Sequence, residues 1–407
     1  MSVSATQDRD GLGISKRFSW EDFDRLRKAI FMCVKKFKHK NIVLNFKHTE
    51  IIYPNGITPL IALTDAYKRQ GISFSIMPPL SVDLNKLANF EGWFNAIDPS
   101  RFSAPSKSGY NSLPLMRYVN DDELNSAVNA ALEVALRNLT MAKSVPEAFE
   151  WALNELAGNV LHHSEGDCGY IQLNMFKGNA NLSLVVVDSG IGVPSSMRQE
   201  FSDLSNDRIA VEKAVQKGVT SKPNFGQGNG LAGSLALALK SDGFFSITSG
   251  GGRLVVDKGA LTVRDFYPPL QGTVVELQLP TDREIDIPGA LWGHSPSSYI
   301  EERYENEAGS LCLKLMDCAP TFGNRLTGEK VRNMILNLLT SNPSAALDID
   351  FDGVKIIASS FADEVFGKLF LELGPLEYSA RIRPRGVNGT CKQIIDKAIL
   401  ERVAQGI

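Results

Sequence analysis

Three short segments in the middle of the chain constrain it more than any other feature: ELAGNVLHH from Glu155 to His163, DSGIG from Asp188 to Gly192, and GQGNGL from Gly226 to Leu231. Read in order they describe a helix, the end of a strand, and a glycine loop that opens a second helix. In the first, Ala152, Leu153, Leu156, Ala157, Val160 and Leu161 recur at helical spacing and predict one apolar face. Glu155 and Asn159 then stand one turn apart on the other face, so a carboxylate and a carboxamide project side by side. Such a pair suits orienting a water with Glu155 and offering the Asn159 oxygen to Mg²⁺, a hard cation that keeps several waters when it binds phosphates. His163 lies two turns beyond Glu155, on roughly the same face. A solvated face on an amphipathic helix accounts for the same residues.

The second segment follows Leu182 to Val187, a Leu-Ser-Leu-Val-Val-Val run with the composition of a buried or half-buried strand. Asp188 ends that strand, and Gly190 and Gly192 let the backbone turn sharply and approach a flat ligand. A carboxylate there can accept a hydrogen bond from an exocyclic amine such as that of adenine. Asp-Ser-Gly is equally a common turn. The third segment has glycines at alternate positions, Gly226, Gly228 and Gly230, before the helix-forming run Leu231 to Lys240. Backbone N–H groups and the positive end of a helix dipole favour phosphate at such a place. No Gly-Lys-Ser/Thr follows the glycines, and their spacing is not that of a dinucleotide fingerprint. Upstream, the stretch from Gly218 through Thr220 and Ser221 to Lys222 adds hydroxyls and a cation that a closing lid brings to a phosphate, or that are simply solvated.

As a set these residues resemble the Bergerat-type ATP fold shared by gyrase, histidine kinases, MutL and the anti-sigma-factor serine kinases. In that family the first motif supplies Glu and Asn, the second is D-x-G-x-G, and the third is a glycine-rich lid. Glu155, Asn159, Asp188, Gly190, Gly192, Gly226, Gly228 and Gly230 occupy matching places, and Gly272-Thr273 before Val274 to Leu279 matches the family's threonine at a late strand. The resemblance covers about residues 120 to 285 and implies ATP and Mg²⁺. Glu155 is then the candidate catalytic base and Asn159 the Mg²⁺ ligand. His163, Thr220, Ser221, Lys222, Leu231 and Thr273 join the glycines and Asp188 as candidate nucleotide contacts. ELAGNVLHH looks most like the anti-sigma serine-kinase branch. The helical stretch from Asp121 to Met141 has no histidine, which argues against a histidine autokinase.

Composition is compatible with a multidomain α/β protein of 407 residues, 43% hydrophobic and 22% charged. A net charge of −3 supplies no general pull toward nucleic acid or membrane. The KKFKHK run from Lys35 to Lys40 suits a helix C-terminus. Met1 to Ser15 is polar, no apolar run approaches the ~20 residues of a membrane span, and five cysteines lack C-x-x-C spacing. The expectation is a cytoplasmic protein with reduced thiols.

The flanks read as small α/β domains around a central α+β sandwich. Asn41 to Phe46, Gly56 to Gln70 and Ile72 to Met77 predict a strand, a helix and a strand, with a right-handed crossover. Ala345 to Phe351, Ser359 to Leu373 and Ser379 to Arg383 predict the same order, with a final helix from Thr390 to Val403. LDIDFDGVKIIASSFADEVFGKLF, Leu347 to Phe370, looks like the STAS-like domain of unknown function found beside Bergerat-type ATPases in bacteria, and the N-terminal unit is a weaker match to the STAS fold. In anti-anti-sigma STAS proteins a serine at the start of such a helix accepts phosphate. Ser360 holds the analogous place, where capping the helix is the competing role for Ser359 or Ser360. The N-terminal copy has Asn55 and Gly56 there, without a hydroxyl.

The expected organisation is a flexible tail over 1–15, an N-terminal STAS-like domain over 16–115 and an ATP-binding domain over 120–285. A linker follows over 286–308, with Trp292 docked on a neighbouring domain, and then a C-terminal STAS-like domain over 309–407. Three functions fit: a regulatory ATP switch that resets by slow hydrolysis, a serine/threonine kinase acting on a STAS-type serine, or a nucleotide-binding scaffold. Protein partners are expected through the STAS-like domains, and homodimerisation is frequent in the ATPase family.

Overall fold

The computed structural model describes residues 11–105, 113–164, 168–176, 178, 180–220, 228–293, 303–306 and 310–405. The chain divides into two compact units. The first comprises residues up to Ala131, Ala152–Pro280 and Pro288–Gly293, and the second Leu132–Trp151, Thr281–Ile287 and His294 onward.

The first unit opens with short strands β1 (Leu12–Gly13) and β2 (Arg17–Phe18) and helix α1 (Trp20–Lys35). Ser19 starts α1 with a capping-box arrangement, its backbone N–H donating to Asp22 Oδ2 at 3.2 Å and its hydroxyl to the same oxygen at 3.0 Å, so the carboxylate satisfies an orphan backbone donor. Then come β3 (Asn41–Asn45), β4 (Ile51–Ile52), α2 (Pro54–Lys68) and β5 (Ser73–Met77). Strands β1, β3 and β5 form a parallel sheet, and β2 and β4 a two-stranded one. Helices α3 (Val82–Phe90) and α4 (Trp93–Ile97) complete this N-terminal module. The strand–helix–strand reading of the N-terminus matches β3, α2 and β5, with ends shifted by one or two residues. The KKFKHK run begins at the last residue of α1.

The second layer is a five-stranded sheet in the order β6-β7-β8-β10-β9, every neighbouring pair antiparallel. Its strands are β6 (Met116–Tyr118), β7 (Gly169–Phe176), β8 (Asn181–Asp188), β9 (Phe244–Asp257) and β10 (Ala260–Pro280). Helices α5 (Asp121–Asn138) and α6 (Val145–His163) precede β7. Helices α7 (Val193–Glu200), α8 (Asp207–Ala214) and α9 (Gly230–Lys240) lie between β8 and β9 in the chain. Strand β8 is buried along nearly its whole length, which explains an apolar run broken only by the buried Ser183. Val185 and Val187 pack into the core of the N-terminal module, while Leu184 and Val186, equally buried, face the opposite side.

The N-terminal module and the sheet therefore share one core, which runs from Leu12, Ile42 and Leu44 through Ile57 and Leu60 to Tyr170, Val187, Phe266 and Val274. Helix α2 is apolar nearly all round because it touches α1 and α4 as well as β7, β8 and β10. Polar groups inside this junction are paired, as buried polar groups must be. The Trp93 indole N–H donates to Gln172 Oε1 at 2.8 Å, and Gln172 Nε2 donates to Glu91 at 3.0 Å. The Tyr170 hydroxyl meets Asp65 at 2.5 Å. Arg27, 2% exposed, lies over the Phe266 ring, donates to the Tyr267 and Pro268 carbonyls and pairs with Asp24.

The second unit holds a parallel sheet in the order β11-β12-β13, formed by β11 (Leu311–Lys314), β12 (Leu347–Asp350) and β13 (Ile382–Arg385). Helix Arg325–Ser341 crosses from β11 to β12, and helix Gly389–Gln405 follows β13. Two sequence expectations are corrected here. The single helix expected over Ser359 to Leu373 is instead Ser359–Ala362, a π turn over Asp363–Gly367, and Lys368–Arg381 bent at Gly374 and Pro375. The strand expected at Ser379 starts at Ile382, because Ser379 to Arg381 continue that helix and the Arg381 guanidinium caps the carbonyls of Leu339 and Asn342. Within the stretch expected as a linker, Ile287–Ala290 is helical. Trp292 is 42% exposed, with the Lys217 ammonium 4.8 Å over its ring. Among the described residues no helix is long and apolar enough to cross a membrane.

Candidate nucleotide site

Glu155 and Asn159 lie on the half-buried face of α6, and the N-terminus of α9 comes directly against them. A Cβ added at Gly230 would sit 2.4 Å from Glu155 Oε2 and 3.4 Å from the Asn159 carboxamide nitrogen. Glycine is required there by close approach, not by φ. The face read as open to either pocket or solvent is thus met by the start of a helix. The positive end of the α9 dipole stands beside a carboxylate and a carboxamide.

Asp188 closes β8 opposite Thr273 of β10 on one side and Gly169 of β7 on the other. It is 4% exposed. Its Oδ1 accepts from the Gly190 N–H at 2.8 Å, the turn expected of Asp-Ser-Gly, so turn and site readings meet in one carboxylate. The Thr273 hydroxyl and N–H also donate to Asp188. Burial raises the pKa of the Asp188 carboxyl to about 6, opposed by these hydrogen bonds and by the positive charge of Arg69. Gly190 has no room for a side chain, since a Cβ would fall 2.1 Å from the Ser164 carbonyl oxygen, and the next residue, Ile191, donates its N–H to that same oxygen at 2.7 Å. Gly192, at φ +78°, starts α7.

Ser249 of β9 ties this corner together. Its hydroxyl donates to the Gly272 carbonyl at 2.8 Å, accepts from the Val193 N–H at 2.8 Å and lies 3.2 Å from the Thr273 hydroxyl. Neither Ser249 nor Gly272 was singled out as a site residue, although Ser249 opens a Ser-Gly-Gly-Gly run that signals close packing. Asp207 of α8 fills the space beside those glycines, accepting from the Gly251 N–H at 2.7 Å.

The two ends of the glycine loop lie together. The Gly218 N–H donates to Asn229 Oδ1 at 3.2 Å, and a Cβ on Gly228 would strike the Val219 backbone. Thr220 is half-buried at the upstream end, and Leu231 packs on a small cluster of Met197, Leu204, Ala210 and Ala214. Ser221, Lys222 and Gly226, and the side chain of His163, lie outside the described residues. Glu155, Asn159, Gly228, Gly230 and Leu231 thus belong to one corner, and Asp188, Gly190, Gly192 and Thr273 to another, on neighbouring elements of the first unit. Ser360 belongs to the second unit. The cap of its helix is Ala358, with Ser359 and Ser360 in the first turn, so neither serine takes the capping role.

An antiparallel sheet backed by helices, with a buried aspartate at one strand end and a Glu/Asn pair under a helix N-terminus, makes an α/β sandwich. Residues 144–283 match the family described as Histidine kinase-, DNA gyrase B-, and HSP90-like ATPase. Residues 327–391 match the STAS-like domain of unknown function (DUF4325). The chain is therefore a multidomain α/β protein that carries a GHKL-type, ATP-binding domain followed by a STAS-like domain. Neither match reaches the N-terminal module. No curated protein matches the chain in sequence.

Proposed function

We propose that the protein is an ATP- and Mg²⁺-dependent regulatory switch, in which the nucleotide state of the central domain governs the C-terminal STAS-like domain or a protein partner. The observation that carries this reading is the convergence of Glu155, Asn159 and the α9 N-terminus, which approach so closely that a Cβ at Gly230 would clash with Glu155. That donor set fits a hard cation and a phosphate chain: the Asn159 carboxamide offers oxygen, and the helix end offers N–H groups to anionic oxygens. Bound Mg²⁺ would neutralise phosphate charge. Glu155 orients the attacking water and takes its proton, while Asp188, ionised, accepts from the base amine and Thr273 holds its carboxylate.

The direct test measures phosphate release and nucleotide retention together. Glu155→Ala should hold ATP while losing turnover, and an unchanged hydrolysis rate removes Glu155 from the role of base. A kinase acting on a STAS-type serine is the second reading, favoured by Ser360 lying past the cap position at a helix start. Incubation with γ-labelled ATP should then leave label on the chain that Ser360→Ala abolishes. Free phosphate with unlabelled protein counts against it.

A further inference from the structure

Helix α2 ends at Lys68, and Arg69 is its C-cap residue. The Arg69 guanidinium reaches Ser189, Nη1 donating to the hydroxyl at 3.0 Å and Nη2 to the carbonyl. Beside it Gln70 donates to Gln271 Oε1 at 3.2 Å, and Gln271 Nε2 reaches the same Ser189 carbonyl at 3.5 Å. Ser189 is 1% exposed and stands between Asp188 and Gly190. A planar guanidinium that holds a hydroxyl and a carbonyl of one residue fixes the orientation of that peptide, which a point charge on a flexible stem does not. Gly190, the next residue, has no Cβ to restrict the backbone by itself.

We infer that Arg69 is a positioning residue for nucleotide recognition: it locks the Ser189 peptide, aims the Asp188 carboxylate at the base, and so makes the N-terminal module a working part of the nucleotide site. This rests on the reading of Asp188 as the acceptor for the base amine. Asp188 is faced by Tyr118 of β6, Thr273 of β10, the Gly190 N–H of its own turn and Arg69 of α2. Arg69 supplies positive charge among these, so it also favours the ionised carboxylate that the base requires. The module then bears on affinity at the base end of the ligand and leaves the chemistry at Glu155 alone.

The experiment is equilibrium binding of ATP and of AMP to the full chain across pH, for wild type, Arg69→Ala, Arg69→Lys and Ser189→Ala. Loss of a charge-assisted clamp should weaken ATP and AMP by the same factor, about tenfold, since AMP keeps the base and lacks the terminal phosphates. The pH midpoint of binding should move upward in Arg69→Ala and return in Arg69→Lys, which restores charge without the fork and regains part of the affinity. In steady state the Arg69→Ala defect should fall on KM and spare kcat. Ser189→Ala, which deletes one acceptor and leaves the fold's ion pairs intact, should show the same defect in smaller measure and serves if Arg69→Ala does not fold. Wild-type protein that binds neither nucleotide overturns the Asp188 reading and the clamp with it. Wild-type binding that Arg69→Ala or Ser189→Ala leaves within twofold, with the same midpoint, overturns the clamp alone.

Discussion

The Asp188 carboxyl answers two demands of opposite sign. For folding, a carboxyl whose pKa is raised to about 6 takes up a proton as the chain folds, in the window between the ordinary carboxylate value and 6. Stability from this group is thus gained as pH falls through that window, by on the order of 3 kcal/mol for a two-unit shift. Glu91, raised to about 7 by burial against the hydrogen bond from Gln172, acts in the same direction. In the role proposed for Asp188, binding has the reverse sign, because only an ionised carboxylate accepts from an amine. Between pH 7.5 and 5 the midpoint of thermal unfolding of the first unit should rise while ATP affinity falls, and calorimetry paired with nucleotide titration at each pH checks both. Two glycines separate fold from chemistry at the same scale. Gly190→Ala sets a Cβ 2.1 Å from a backbone oxygen that cannot swing away, so it should cost roughly 3 kcal/mol or more together with nucleotide binding. Gly230→Ala sets a Cβ 2.4 Å from Glu155 Oε2, with Glu155 Cβ at 3.3 Å and the Asn159 carboxamide nitrogen at 3.4 Å, so it should displace those side chains and lower turnover, while the thermal midpoint falls less than in Gly190→Ala because side chains and not backbone must give way. Helical spacing and a glycine before a helix are local signals, so Glu155, Asn159 and Gly230, which the fold brings together, could be picked out from the sequence as candidates. Arg69 could not be, since its partner is 120 residues away and nothing in either neighbourhood announces the pairing.

Among the elements, the helices that lead into the nucleotide motif end on a side chain supplied from far along the chain. Asn337, fully buried, donates through Nδ2 to the Leu136 carbonyl at 2.9 Å and the Leu139 carbonyl at 2.8 Å, and its Oδ1 accepts from the Met141 N–H at 2.9 Å. One carboxamide therefore satisfies three backbone groups at the α5–α6 corner within the second unit, with Asn333 adding a bond to the Arg137 carbonyl. Asn337→Leu keeps the volume and strands all three groups. It should destabilise the second unit by about 3 kcal/mol, read as a lower urea midpoint with the slope unchanged. The same helix layer explains why one helix had been expected over Ser359 to Leu373. Glu364 is buried with Lys368 at 2.7 Å, Arg332 at 3.3 Å and Arg325 at 3.5 Å, while Asp363 holds Arg402 through both oxygens. The π turn at Asp363–Gly367 widens the helix where these two carboxylates must reach cations on separate helices, a tertiary requirement invisible to periodicity. Strand β8 was legible for the opposite reason: a run buried on both faces is written almost wholly in Leu and Val.

At the scale of the whole molecule, the N-terminal module is bound to the ATP-binding sheet by a continuous core, where sequence order suggested two separate neighbours. Strands β3 and β5 and helix α2 were each readable, but no local pattern says that α2 is apolar all round because it has a sheet on either side. Its uniform burial is the one trace of this in the sequence, and an ordinary core helix produces the same trace. The consequence concerns what can fold alone. A chain beginning at Leu113 keeps every residue of the family match at 144–283, yet loses α1, α2 and α4 and uncovers Tyr170, Val185, Val187, Phe266, Leu270 and Val274 together. It also strips Gln172 of its Trp93 and Glu91 partners and Arg253 of the Trp20 ring 3.8 Å away. Monomers rarely leave a contiguous apolar face beyond roughly 600 Å² open to water. The fragment should therefore aggregate or bind 8-anilinonaphthalene sulfonate where the full chain does not, and its nucleotide affinity should be lost with the fold. A fragment that stays monomeric, dye-silent and competent for ATP would place the module outside the folding unit, whatever Arg69 contributes to the site.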